Sequence, residues 1–204
     1  LRAIELFGRL ARQYPASPKI PEARFHQGEA MREIGDVASA TLVFQEIISR
    51  YPTNGLIRMA WVRKGDCQFT LGAEDVRRYE EALNSYRIAL DGEQVPAELR
   101  LQTEYKIGRC YEKTSRVAEA LEQYYTRVVC RYFEERERDR QAAPALDMWF
   151  TRAAFAAADL LETQGNWRRA VKVLQRVVEA GVPAARDAEE RIKRIKTDHW
   201  SLFY

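Results

Sequence analysis

Four small residues, Gly28, Gly65, Gly108 and Ala158, set the frame for the side chains able to do chemistry in this chain. Three positions before them stand Phe25, Val62, Tyr105 and Phe155; one after stand Glu29, Asp66, Arg109 and Asp159; four after stand Arg32, Phe69, Glu112 and Glu162. These offsets share one stripe of a helix. Stacked side by side, such helices present an aromatic row beside a mostly acidic row, interrupted by Arg32 and Arg109. That chemistry is non-covalent, and it suits an extended peptide or a helix with apolar anchors and some basic groups. The competing reading of the aromatics is that they fill space between adjacent helices.

Covalent chemistry has little to stand on. His26 and His199 are the only histidines, far apart and without a nucleophile motif beside them. There is no glycine-rich phosphate loop, no HExxH and no GxSxG, so the expectation is a chain that is not an enzyme, with no cofactor and no metal. Cys67 and Cys110 each follow their anchor glycine by two residues, where other copies carry Ala30 and Leu160, and read as small core residues. Cys130 aligns with Arg50 and Ala180 and reads as partly exposed. Three cysteines without a CxxC form no zinc spacing and no disulfide framework.

The elements that must position the rows are repeats. Ala3, Phe7 and Pro15 return as Ala40, Phe44 and Pro52, and the complete unit runs Gly28, Gly35, Ala40, Phe44, Pro52. Gly108, Ser115, Ala120, Tyr124 and Tyr132 keep the same spacing, as do Ala158, Gly165, Ala170, Leu174 and Val182, with Pro183 one residue late. Gly65 and Gly72 reach Ala82 and Tyr86 five residues late, which places an insertion near AEDVR in the turn. Alanine followed four residues on by an aromatic lies on one helical face, and the proline cannot continue that helix. The anchors are small so that a neighbouring helix can approach closely. Gly35, Gly72 and Gly165 are predicted to be left-handed caps, with Ser115 departing from glycine there.

The pattern predicts about ten helices: a lone second helix at 1 to 14, pairs near 19 to 51, 55 to 91, 96 to 132 and 145 to 180, and a closing helix from Pro183. Residues 133 to 141, FEERERDRQ, read as a solvated helical extension with i to i+4 pairing. The tail puts Trp200, Leu202, Phe203 and Tyr204 at an open end, expected to dock onto the last repeat, a continuation or another subunit. With 33 basic and 30 acidic side chains the net charge is only +3, which gives weak pull on phosphate, and no run reaches the roughly 18 apolar residues of a membrane helix. The chain opens at Leu1 inside a repeat, so the expectation is a fragment of a longer protein.

These residues resemble the tetratricopeptide repeat, a helix-turn-helix unit whose signature includes glycine, a later A-x3-F and a closing proline. The signature tryptophan is present only at Trp61. The resemblance implies an all-α fold, a right-handed α-solenoid of tetratricopeptide-like helix pairs with a C-terminal capping helix. Residues 1–17 form the second helix of a truncated repeat, followed by repeats at 18–53, 54–93 with the turn insertion, 94–142 with an extended end, and 143–182, then a capping helix and tail at 183–204. The stretches FGRLARQYPASPKIPEARFHQGEAMREIGD and FQEIISRYPTN look most like bacterial cell-envelope repeats of outer-membrane assembly lipoproteins and Tol-Pal relatives. That favours the periplasm or cell envelope, with the cytoplasm as the other location. In this family ligands lie in the concave groove of the first helices, which the rows above would line. No Asn and no Lys falls on those rows, so the clamp for a terminal carboxylate is not expected. The implied function is a protein-protein interaction scaffold binding a peptide or helix of a partner protein, with self-association through the ends as a further expectation. A nucleic-acid-binding helical repeat and a regulatory domain of a larger enzyme are the alternatives.

Overall fold

The computed structural model describes residues 1–92, 94–139 and 143–203, and all regular structure among them is helical. The chain divides into two compact units, Leu1–Glu93 and Gln94–Tyr204.

The first unit holds α1 (Arg2–Gln13), α2 (Ile20–Glu33), α3 (Val37–Arg50), α4 (Ile57–Leu71) and α5 (Arg77–Ala89), each packed on the next. Pro21 opens α2, where its missing N–H is not needed. Asp36 caps α3 by accepting from the Ser39 amide at 3.2 Å. Gly35, with φ of +83°, makes the reversal between α2 and α3. Phe44, Ile47 and Ala40 of α3 sit between Phe25 of α2 and Ala60 and Cys67 of α4, all buried. The small anchors are explained by rings from the second helix of the same pair: a Cβ on Gly28 would lie 2.8 Å from Phe44 Cζ, and one on Gly65 would lie 2.6 Å from Tyr86 Cε1.

Gly72 corrects one expectation. Its φ is −60°, in the right-handed region, so it is no left-handed cap. The ring of Tyr79 lies where its Cβ would be. The glycine serves close packing, and the turn from Gly72 to Val76, longer than the three-residue turn at 34–36, absorbs the insertion.

The second unit holds α6 (Ala97–Lys113), α7 (Val117–Glu122), a π-helix (Gln123–Cys130), α8 (Arg131–Arg138), α9 (Ala143–Thr163), α10 (Trp167–Ala180), α11 (Ala185–Asp198) and a 3₁₀ turn (Trp200–Leu202). Ser115 takes φ of +58° at the place of Gly35 and Gly165, a non-glycine in the left-handed region. Tyr124 covers Gly108, whereas the last pair has Ala158 at the anchor and Leu174 at the place of the ring, both fully buried in one core cluster. The core runs through Leu101, Tyr132, Phe150 and Leu174, with Tyr132 stacked on Phe150 at 4.0 Å.

The extension after Tyr132 is only partly solvated. Arg131 pairs with Glu135 at 2.8 Å on the i to i+4 spacing. The other side of α8 docks: Phe133 meets Phe150 edge-on at 5.6 Å beneath the Arg176 guanidinium, and Arg136 donates to the Ala180 carbonyl at the end of α10. Residues 140 and 141 of the predicted extension lie outside the described residues. In the tail, His199 stacks on Trp167 at 3.8 Å, Arg168 donates to the Leu202 carbonyl at 2.7 Å, and Phe203 packs on the core, while Trp200 stays 66% exposed. Tyr204 lies outside the described residues.

Candidate interaction surfaces

In the first unit the rows come from α2 and α4, the first helices of their pairs. Glu29 lies 3.3 Å from Arg32 on its own helix and 3.0 Å from Arg63 on α4. Arg63 in turn approaches Asp66 at 3.4 Å, and Tyr86 donates its hydroxyl to Asp66 at 2.9 Å. The ring that covers Gly65 therefore also anchors the carboxylate of the next residue. Two carboxylates and two guanidiniums thus form a self-neutralised ladder across α2 and α4. Phe25 is buried, edge-on to Phe44 at 5.6 Å, and Phe69 packs edge-on against Tyr79 at 5.1 Å. These aromatics hold the helices together more than they face solvent.

In the second unit the rows come from α6 and α9. Tyr105 sits between Tyr124 and Trp149, with ring centroids 5.7 and 5.8 Å away. Arg109 donates to the Tyr105 hydroxyl at 3.4 Å and lies 3.5 Å from Glu112, which also accepts from the Tyr124 hydroxyl at 2.8 Å. Burial, together with the negative charge of Glu112, raises the Tyr124 hydroxyl far above its ordinary pKa, so it stays a donor. Asp159 and Glu162 both receive Arg191 of α11, at 2.5 and 2.6 Å, and the same guanidinium lies over the Phe155 ring. Trp149, almost wholly buried beside Tyr105, has an indole Nε1 without a hydrogen-bond partner among the described residues.

The sequence-predicted residues therefore gather in two sets, Phe25, Glu29, Arg32, Asp66 and Phe69 on one unit, and Tyr105, Arg109, Glu112, Phe155, Asp159 and Glu162 on the other. Sequence reasoning missed Arg63 and Arg191, which neutralise the acidic row. Arg63 stands two residues before Gly65, a position that could have been tested for cations beside the acidic offsets. Among the described residues no group of three or more His, Cys, Asp or Glu could hold a metal ion, and no helix is long and apolar enough to cross a membrane. Cys67, Cys110 and Cys130 form no disulfide among the described residues; burial pushes Cys67 up to about 11 and also raises the half-buried Cys130.

Paired helices with a small anchor under a ring, an alanine and a left-handed reversal match known families at the same places. Family models described as tetratricopeptide repeat match residues 22–54, and residues 71–143 and 155–191. This chain belongs to the tetratricopeptide repeat family. No curated protein sequence matches it. Among solved structures, one titled "MamA RS-1 ArsTM double mutant" superposes with a TM-score of 0.61, covering 88% of this chain and 84% of that one at 19% identity. At that identity the likeness speaks to the fold, an all-α array of repeat helix pairs. Repeats of this family generally mediate protein-protein interaction and typically serve as non-catalytic scaffolds.

Proposed function

We propose that this chain binds a peptide or helix of a partner protein across the first-helix faces, α2 with α4 and α6 with α9. The observation that carries this reading is the repeated placement of a charged side chain one after the anchor on every first helix, and four after it on α2, α6 and α9, with Arg63 tying α2 to α4 and Arg191 tying α9 to α11. Fixed ladders hold their charges in place before a ligand arrives, which lowers the ordering cost of binding. Because each carboxylate already has a cation, a basic partner group has to share or displace an arginine. The partner's apolar anchors therefore supply most of the affinity, and its charges supply register.

Arg32 and Asp159 test this, since Asp159 is exposed and Arg32 half-exposed, so both tolerate substitution. Cross-linking mass spectrometry on the protein in its source cells should map partner residues to α2, α4, α6 or α9. Arg32→Glu combined with Asp159→Lys should remove those cross-links while circular dichroism stays unchanged. Cross-links confined to second helices, or unaltered by the double variant, would refute the assignment. Cell-envelope placement is a further proposal that rests only on the resemblance of residues 7–36 and 44–54, with the RYP ending and A-x4-G as its specific part; fractionation of the source cells tests it.

A further inference from the structure

The helix α11 has the register of a first helix. Ala60 and Cys67 bury against α3 while Arg63 crosses to Glu29 of α2. In α11, Ala188 and Ile195 bury in the core with α10, and Arg191, at the same place between them, crosses to Asp159 of α9. Glu29 and Asp159 are themselves the equivalent residues, one after Gly28 and Ala158. Three positions thus fix the alignment of α11 on α4.

The opposite side of α4 is covered by α5. Tyr86 lies on Gly65, Gln68 donates to Glu81 at 3.2 Å and accepts from Ser85 at 2.6 Å, and Phe69 and Gly72 meet Tyr79. The counterparts are Lys193, Lys196 and Thr197 on α11 and Trp200 at the start of the 3₁₀ turn that follows it. With Ile192 and Val178 of α10 they line an open groove of about 930 Å³, and no helix among the described residues covers it. We propose that this groove takes an acidic amphipathic helix of a partner protein, which completes the pair that α11 begins.

The differences from α4 select the occupant. Lys193 replaces Gly65, leaving no bed for a ring, so the incoming helix carries an aliphatic side chain there. Lys196 replaces Gln68, the residue that meets Glu81, so a carboxylate belongs opposite it. Neither lysine makes an ion pair within the described residues, whereas Glu179 on the facing wall is already held by Arg176 at 2.7 Å. Glu189 lies one turn before Lys193, which confines the acidic positions of the partner to the Lys193–Lys196 end. A second copy of this chain fits poorly. Its α1 is a second-type helix with an open side, Leu6 being 54% exposed where its counterpart Val43 is buried. Yet α1 carries Arg2 and Phe7 in the places of Glu81 and Tyr86, which sets like charge against Lys196 and a ring against Lys193.

The probe is a stapled, fluorescein-labelled peptide of Arg77–Ala89 carrying Arg77→Gln, Arg78→Gln, Tyr79→Ala, Ser85→Glu, Tyr86→Leu and Arg87→Gln, so that its side-chain charges are all carboxylates, followed by anisotropy against the whole chain. Saturable binding is expected, weakened by about tenfold or more in Lys193→Glu with Lys196→Glu and in Ile192→Asp, and unchanged in Lys19→Glu, an exposed charge of the first unit. A permuted peptide of the same composition should bind at least about tenfold more weakly. The proposal falls if no binding is seen up to about 1 mM, or if the permuted peptide or the charge-reversed protein binds equally well. It also falls if the protein alone sediments as a dimer that Leu10→Asp and Ile192→Asp each disperse, which would assign the groove to a second copy.

Discussion

A methyl group decides how each helix pair closes. Gly28, Gly65 and Gly108 sit under the rings of Phe44, Tyr86 and Tyr124, and the pair that has Ala158 instead has Leu174. The chain thus contains two solutions to one volume constraint, glycine with a ring or alanine with an aliphatic side chain. Gly28→Ala should destabilise by about 1–3 kcal/mol despite its better helix propensity, because its Cβ would meet the Phe44 ring. Adding Phe44→Leu should recover part of that loss, giving a coupling of about 1 kcal/mol or more in urea denaturation. Strict additivity of the two substitutions would argue against the shared volume. Glu104 offers a second test. Burial raises its carboxyl above the ordinary value of 4.5, against the opposing hydrogen bond from Gln123 and the charges of Arg127, Arg100 and Arg131. A carboxyl with a higher pKa in the folded chain holds its proton more tightly there. Its contribution to stability is therefore best at low pH and declines as pH rises from the unfolded value through the folded one. Glu104→Gln keeps an acceptor for Gln123 and cannot ionise. It should be more stable than the parent at pH 7, with the difference shrinking toward pH 4 in parallel urea titrations; a gap independent of pH would count against this.

Helices carry the registration of these residues, and here the sequence was informative to different degrees. Alanine and aromatic spacing located the pairs, because a packed helix must repeat its small and large residues in step with its neighbour. The π-helix was invisible to the same reasoning. QYYTRVVC contains neither glycine nor proline, and its signal lies in Ala120, Tyr124, Val128 and Tyr132, four fully buried residues each four apart. Steps of four drift in one direction around a helix of 3.6 residues per turn, and a wider stretch with i to i+5 bonds offsets that drift. Gly72 misled for another reason: a glycine after a helix fits both a left-handed cap and a tight contact, and only the position of Tyr79 distinguishes them. The candidate rows were legible as positions but not as a charge state, since Arg63 and Arg191 reach them from neighbouring helices. Removing such a clip has a local consequence. Arg191→Met should cost about 1–3 kcal/mol by leaving Glu162, itself mostly buried, without its partner. Hydrogen exchange should quicken over Ala185–Asp198, whereas Arg191→Lys, which keeps the charge without the planar fork, should fall between the two. Unchanged exchange in the Met variant would mean that α11 is held by Ala188 and Ile195 alone.

Whole-chain behaviour follows from nearest-neighbour stacking. In a repeat array each helix gains stability only from the helices beside it, so protection should track how many sides are covered. In the first unit α4 is packed by α3 and α5, whereas α1 buries little beyond Gly8 and Ala11 and leaves Leu6 and Leu10 exposed. In the second, α9 is packed by α6, the π-helix and α10, while α11 rests mainly on α10. Native-state exchange should therefore proceed from α1 toward α4 within Leu1–Glu93, and from α11 toward α9 within Gln94–Tyr204. The slowest amides should fall around Gly65 and Ala158, the anchors themselves. This ordering bears on function, because the helices that open first are those with an uncovered side, and a helix seated on such a side should slow their exchange selectively. The stapled acidic peptide gives the discriminating measurement: protection should rise in α11 and leave α9 unchanged. Uniform exchange across each unit would show that the unit opens as one block, with no graded end for a partner to stabilise.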